Sequence, residues 1–185
     1  MKYKIIALMG KAGSGKDTVL RKLIELYPDK LHEIVGCTTR PPREGEKNGI
    51  NYYFLTVEEF TEKVLNGDMI EATMFNDWHY GTMKSALDSE KWNIGVFNPD
   101  GIRCLQEDPE IELVTYWICA SNKIRLIRQL EREADPDVHE IIRRFETDEE
   151  DFSPWQIEDI EIRRAFVNEV PENLEQTHIL LVGLV

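Results

Sequence analysis

Cysteine, histidine and long apolar runs are scarce in this chain of 185 residues. Its three cysteines, Cys37, Cys104 and Cys119, stand far apart without metal-ligand spacing, in or beside apolar segments. That pattern predicts buried free thiols in a reducing compartment and argues against disulfides or a zinc site. The histidines, His32, His79, His139 and His178, share no spacing suited to a metal or a triad. No apolar run approaches the ~20 residues that cross a bilayer, and the final "ILLVGLV" is short enough that packing is expected. The first residues carry no signal-peptide pattern, so the expected location is cytoplasmic. Basic residues are few, 22 against 35 acidic, for a net charge of -13. A field of that sign repels polyanions, which excludes non-specific binding to nucleic acid or to an anionic membrane. Small anionic ligands are not excluded, because a few clustered arginines reverse the potential locally.

A hydrophobic content of 42% over this length supports one sizeable core and a single domain, 1–185. Repeats, low-complexity tracts and linkers are absent. "KYKIIALM" reads as a strand ending at Gly10, and Val19, Leu20, Leu23, Ile24 and Tyr27 recur at helical spacing until Pro28. "LHEIVG", "NIGVF", "IELVTYWI" and "DIEIRRAFVN" read as further strands. "VEEFTEKVLNG", "GIRCLQ" and "NKIRLIRQLERE" have helical spacing. Asp137 and Glu140 form a capping box for a helix carrying Val138, Ile141, Ile142 and Phe145, and "PENLEQTHILLV" is expected as a closing helix that starts on proline. Trp78, Trp92, Trp117 and Trp155 are expected in packing roles. Strands alternating with helices imply an α/β domain with a mostly parallel sheet.

The stretch Gly10-Lys11-Ala12-Gly13-Ser14-Gly15-Lys16 has the glycine and lysine spacing of a P-loop, with a strand before it and a helix after. Its glycines let successive N–H groups converge on phosphate oxygens. Lys16 adds a point charge, and the following helix aims its N-terminus at the same anion. Asp17 stands where a Ser or Thr usually ligates Mg²⁺. A carboxylate is still a hard oxygen ligand, so Asp17 is the candidate metal residue. Thr18, one position later, is placed to reach an α-phosphate.

Two further blocks, "CTTRPPREGEKNGINYYF" and "GDMIEATMFNDWHYGT", follow the P-loop. Together with it they closely resemble guanylate kinase, in good register to about Thr82 and more weakly beyond. The resemblance implies a P-loop kinase core (1–37 and 84–185), a small mixed β GMP-binding insert (about 38–83) and a helical lid (about 128–145). It implies that Arg40 and Arg43 clamp the monophosphate with help from Tyr52 and Tyr80. Paired guanidinium forks match a phosphate dianion in both geometry and charge. Glu71 aligns with the base-reading glutamate, which accepts the N1–H and amine of guanine and rejects adenine. Thr82 aligns with a hydroxyl that donates to guanine O6.

Gly36 replaces a family serine near the phosphate. Either Asn98 or Asp100, in "VFNPDGI", takes the place of a base-contacting aspartate. In the lid, Arg132 (or Arg128) and Arg144 (or Arg143) correspond to arginines that close over the moving phosphoryl group. Asn168 in "FVN" resembles an adenine-side asparagine. The expected activity is transfer of the γ-phosphoryl group of ATP, with Mg²⁺, to GMP or dGMP. A kinase of broader deoxynucleotide choice and a catalytically silent phosphopeptide-binding module are the alternatives.

Overall fold

The computed structural model describes residues 2–75, 77–132, 134–181 and 183. In chain order the elements are β1 (Tyr3–Met9), α1 (Lys16–Leu26), β2 (Leu31–Glu33), β3 (Cys37–Thr38), β4 (Tyr53–Phe54), α2 (Val57–Leu65), β5 (Met69–Phe75) and β6 (Trp78–Met83). There follow β7 (Trp92–Val96), α3 (Pro99–Glu107), β8 (Ile111–Cys119), α4 (Asn122–Leu130), α5 (Val138–Asp151), β9 (Ile162–Val167) and α6 (Pro171–Glu175). Five strands form one sheet in the order β2-β7-β1-β8-β9, with every neighbouring pair parallel.

β1 is buried on both faces, as the middle strand of a parallel sheet must be. Successive side chains point to opposite faces. Ile6 and Leu8 pack against Val19, Leu20 and Leu23 of α1 and against Leu180 and Leu181. Ile5, Ala7 and Met9 pack against Ile102 and Leu105 of α3 and against Phe152, Ile157 and Ile160. Each such aliphatic side chain, fully withdrawn from water, contributes roughly 1.5–3 kcal/mol. The sheet is thereby sandwiched between helical layers, and the carboxyl ends of β1, β7 and β8 open on one edge.

A second, mixed sheet has the order β4-β3-β6-β5; β3 pairs parallel with β4, and β6 antiparallel with both β3 and β5. α2 is fixed at its start by a full capping box, Thr56 Oγ1 accepting from Glu59 N and Glu59 Oε2 accepting from Thr56 N. Its buried Phe60 lies over Gly81, where an added Cβ would come within 3.1 Å of the ring.

Some elements differ from the sequence pattern. α3 starts at Pro99 because the Asn98 side chain caps it, accepting from Gly101 N at 2.7 Å. Half of the Asp137 box forms: Asp137 accepts from Glu140 N, while the Glu140 carboxylate turns to Arg143 and Arg144. The closing helix is instead α6 followed by a 3₁₀ turn, Thr177–Leu181. There Tyr116 donates to the Leu180 carbonyl, tying the turn to β8. Cys37 is buried and Cys119 partly so, but Cys104 is exposed on α3, and Trp155 is 73% exposed. Among the described residues, no helix is long and apolar enough to cross a membrane.

Candidate active site

β1 hands the chain to the loop Gly10–Gly15 at the open edge of the parallel sheet. Gly13 and Gly15 hold φ values of +77° and +87°. A Cβ on Gly13 would lie 2.5 Å from the Arg125 carbonyl oxygen, and one on Gly15 would strike the Asn168 amide. Only glycine suits either place. Lys16 lies along the loop, its Nζ donating to the carbonyls of Gly10 at 2.7 Å and Lys11 at 3.2 Å. Burial pulls its pKa below the ordinary lysine value, against the nearby negative charges of Asp17 and Asp148. Ser14 Oγ is buried without a hydrogen-bond partner among the described residues.

The loop is braced from behind by residues for which sequence reasoning has a different role or none. Asn168 is 2% exposed and donates through Nδ2 to the Ser14 carbonyl, beneath the loop. The resemblance implies an adenine-side contact at Asn168, and its amide here supports the loop. Arg128 Nη1 donates to the carbonyls of Gly13, Ser14 and Asn168, so it too is a brace and not a lid arginine. Arg125, 1% exposed, donates from Nε to Ala12 O, from Nη2 to Asp148 Oδ2 at 3.2 Å and from Nη1 to Glu149 Oε1 at 2.8 Å. Its guanidinium lies 4.5 Å from the centre of the Phe145 ring. Asp148 Oδ2 also accepts from Ala12 N at 2.5 Å. Burial raises the Asp148 pKa, opposed by that N–H and by Lys16 and Arg125. An aspartate within "ETDEED" looks like any solvated acid, which is why this network is invisible in the sequence.

Across the cleft, Arg40 and Arg43 come from the loop between β3 and β4. Arg40 is 6% exposed and directs its fork onto Glu46, at 2.9 and 3.1 Å, with Tyr52 and Phe54 rings beside it. A guanidinium this deep needs an anion. Burial works against its charge, but the contacts from Glu46 and Tyr80 more than offset it and raise the pKa. Arg40 thus carries a carboxylate partner of its own, where the resemblance implies a clamp on phosphate shared with Arg43. Glu46, absent from the sequence-derived site, also accepts from Arg43 N at 2.7 Å and fixes the loop.

Arg43 is the open fork. Among the described residues no carboxylate forms an ion pair with it, and its buried Nε has no partner. Burial, then repulsion from Arg40, Arg144 and Arg132, pushes its pKa down to about 10. Arg132 and Arg144 line the same cleft as Arg40, Arg43, Lys16 and Asp17. Arg132 is half exposed, 3.8 Å from Glu46 Oε1. Arg144 is held by Glu140 at 2.6 Å. The hydrogen bond from Arg143 and the adjacent Arg144 hold the Glu140 carboxyl at about 2. Arg143 lies outside the cleft walls, so of the two neighbours Arg144 faces the site. Tyr52, Tyr80 and Gly36 line the cleft, as does Trp78, which was expected only to pack. Thr18 is exposed on the first turn of α1 and is not among the cleft-lining residues.

At the far end, Glu71 of β5 and Thr82 of β6 face each other, 7% and 2% exposed. Thr82 Oγ1 donates to Glu71 Oε1 at 2.8 Å. Burial pushes the Glu71 pKa up to about 7, with the Thr82 hydrogen bond opposing. Asn98 lines this end with Thr73, its Nδ2 at 3.0 Å from Thr73 Oγ1. Asp100 does not reach it. Two residues further into α3, it points away and pairs with Arg103 at 2.7 Å. Of these two residues, Asn98 lines the cleft and Asp100 does not.

The comparisons with known proteins agree on one relationship. A family model described as guanylate kinase matches residues 2–177. The guanylate kinase of Campylobacter jejuni is 32% identical over 130 residues, which cover 68% of this chain and 63% of that protein. The guanylate kinase of Chlamydia felis is 35% identical over 131 residues, covering 69% and 63%. The matched segment therefore spans just under two thirds of the length of these curated relatives. The crystal structure of guanylate kinase from Anaplasma phagocytophilum shares the fold, with a TM-score of 0.68 at 24% identity, covering 97% of this chain and 82% of that one.

Proposed function

This chain belongs to the guanylate kinase family, and on that premise we propose that it transfers the γ-phosphoryl group of ATP to GMP or dGMP. The observation that carries the reading is the meeting of two anion sites in one cleft, the loop around Lys16 and the open Arg43 among three further guanidinium groups. The four-stranded sheet is the part that receives the monophosphate, and residues 128–145 form the lid. A cytoplasmic location goes with this reading.

Phosphoryl transfer needs positioning and charge neutralisation and no protein nucleophile. The triphosphate lies along the loop, and Lys16 exchanges the Gly10 and Lys11 carbonyls for phosphate oxygens. Arg43 and Tyr52 hold the acceptor phosphate, with Arg40 and Glu46 fixing the loop that carries Arg43. An acceptor oxygen attacks the γ-phosphorus in line. The new P–O bond forms as the β,γ-bridging bond breaks, and ADP leaves. Arg132 and Arg144 stabilise charge on the moving group, and closure over it excludes the water that would otherwise hydrolyse ATP.

Asp17 fits a hard divalent cation: its carboxylate lines the cleft next to Lys16 and has no side-chain partner among the described residues. No cluster of three or more His, Cys, Asp or Glu side chains suited to a metal exists among those residues. Asp17 and the substrate's own phosphates would therefore hold Mg²⁺. When bound, the ion would supply charge neutralisation for the phosphates. A coupled assay of ADP release with and without GMP tests the function: GMP-dependent release is expected. Release independent of GMP would overturn it.

A further inference from the structure

Glu140, Arg144 and Asp148 of α5 and its C-cap Phe152 stand four positions apart, and all four line the cleft. Side chains at that spacing are neighbours on a helix surface, so they form one stripe along the cleft wall. Phe152 anchors the stripe in the core with Ile5, Ala7 and Met9 of β1. Arg144, at the other end, is held by Glu140. Asp148, between them, ties α5 to the phosphate loop through a single oxygen. Its Oδ2 accepts from Ala12 N at 2.5 Å and from Arg125 Nη2 at 3.2 Å, while Arg125 Nε donates to Ala12 O at 3.0 Å. Ala12 is thus gripped through both backbone groups, its N–H by α5 and its carbonyl by α4. The Arg125 guanidinium also lies 4.5 Å from the ring centre of Phe145, the residue after Arg144. Glu149 adds a pair with Lys11 at 2.6 Å, but it is 41% exposed, and water weakens such a pair. The buried link is the one through Asp148.

We propose that Asp148 is a positioning residue for phosphoryl transfer: it fixes the distance between Arg144, one turn away on α5, and the loop that holds the triphosphate. This rests on the kinase reading given above. α5 cannot swing away from the loop without breaking the bond to Ala12, so Arg144 is in place before a nucleotide arrives. A buried ion pair is a poor device for stability alone, because packed apolar residues often serve as well. What Asp148 supplies is an arm of set length ending in an acceptor. Since one oxygen takes both donors, an amide oxygen in its place would take them too. The length matters because a misplacement on the order of 1 Å costs a catalytic group up to about 10²-fold in rate.

The test is GMP-dependent ADP release at saturating ATP and Mg²⁺, comparing two substitutions at this position. Asp148→Asn keeps the arm length and both hydrogen bonds and removes the charge; its kcat should stay within about threefold of the unaltered protein. Asp148→Glu keeps the charge and lengthens the arm by one methylene. Its kcat should fall about tenfold to 10²-fold, with KM for GMP within about threefold. Placed in an Arg144→Ala background, Asp148→Glu should cost less than about twofold more, because the group it misplaces is gone. Asp148→Ala, which removes the arm, is read in the same two backgrounds should the longer side chain not fit the fold. An Asp148→Asn variant as slow as Asp148→Glu, a normal kcat in Asp148→Glu, or a loss of the same size without Arg144 each overturns this inference and leaves the kinase reading intact. Absence of GMP-dependent ADP release by the unaltered protein overturns both.

Discussion

The two anion sites of this cleft are made of different material. The site around Lys16 is backbone, held in shape by glycines and bolted from behind by Arg125, Arg128, Asn168 and Asp148. The site around Arg43 is side chain, a set of long guanidinium groups kept in place by Glu46, Glu140 and one another's repulsion. A backbone site cannot be lost without disturbing the fold, since its braces are also buried contacts between the loop, α4 and α5. A side-chain site can be emptied of function while the fold stands. Function and stability should therefore separate on the Arg43 side and move together on the Lys16 side.

The largest effect expected from that contrast is at Arg43. Arg43→Ala removes the one cleft-lining guanidinium that has no carboxylate ion pair among the described residues and should lower kcat/KM for GMP about 10³-fold, on the order of 4 kcal/mol. ATP affinity should stay within about twofold. The melting temperature should not fall, because the residue is a buried cation already repelled by its neighbours. Steady-state kinetics, calorimetry with ATP and a thermal melt on the same preparation decide it. A destabilised variant with normal turnover would reverse the contrast.

On the other side, Arg125→Ala leaves Asp148 buried at 2% exposure without its cation. Breaking one half of a buried pair costs about 3 kcal/mol or more. Chemical denaturation should show that loss, and ATP binding should weaken in parallel, since Ala12 loses the donor to its carbonyl and its N–H is left on an uncompensated carboxylate. GMP affinity should change little. Adding Asp148→Asn to Arg125→Ala should recover part of the stability, because the orphaned charge is removed; a double variant no more stable than the single one would remove Asp148 from the bracing role.

The same contrast explains what the sequence reveals. The parallel α/β core and its loop are legible because glycine spacing, strand alternation in "KIIALM" and the start of α1 are local properties of the chain. So are Arg43, Glu71 and Tyr52, embedded in blocks with a family resemblance. What the sequence hides is pairing. Nothing in "REGE" says that Glu46 takes up the fork of Arg40, and nothing in "ETDEED" separates Asp148 from its solvated neighbours. Asp100 and Asn98 sit two residues apart, and only the helix cap decides which one turns inward. Asn168 has the residue type of a ligand contact, yet β9 ends in a place that puts it beneath the loop.

The smallest effect comes from Glu71, and it sharpens the comparison by giving the base end a pH dependence of its own. Burial raises its pKa to about 7 from the ordinary value near 4.5. For binding, the N1–H of guanine needs an ionised acceptor, so a proton on Glu71 competes with the nucleotide, and GMP affinity should fall about tenfold between pH 8 and pH 6. The GMP phosphate also titrates in this range, and Glu71→Gln isolates it: the variant should bind weakly but lose the part of the slope that belongs to the carboxyl. For stability the sign is the opposite. The folded protein holds this proton more tightly than the unfolded chain, so the contribution is fully present below pH 4.5 and is lost as pH rises through 7. Glu71→Gln should therefore be the more stable protein at pH 8, by on the order of 2 kcal/mol, with the difference shrinking toward pH 5. A stability difference that grows toward pH 5 would mean the carboxyl is ionised at ease in the fold, and the base end would then be as wet as the phosphate end.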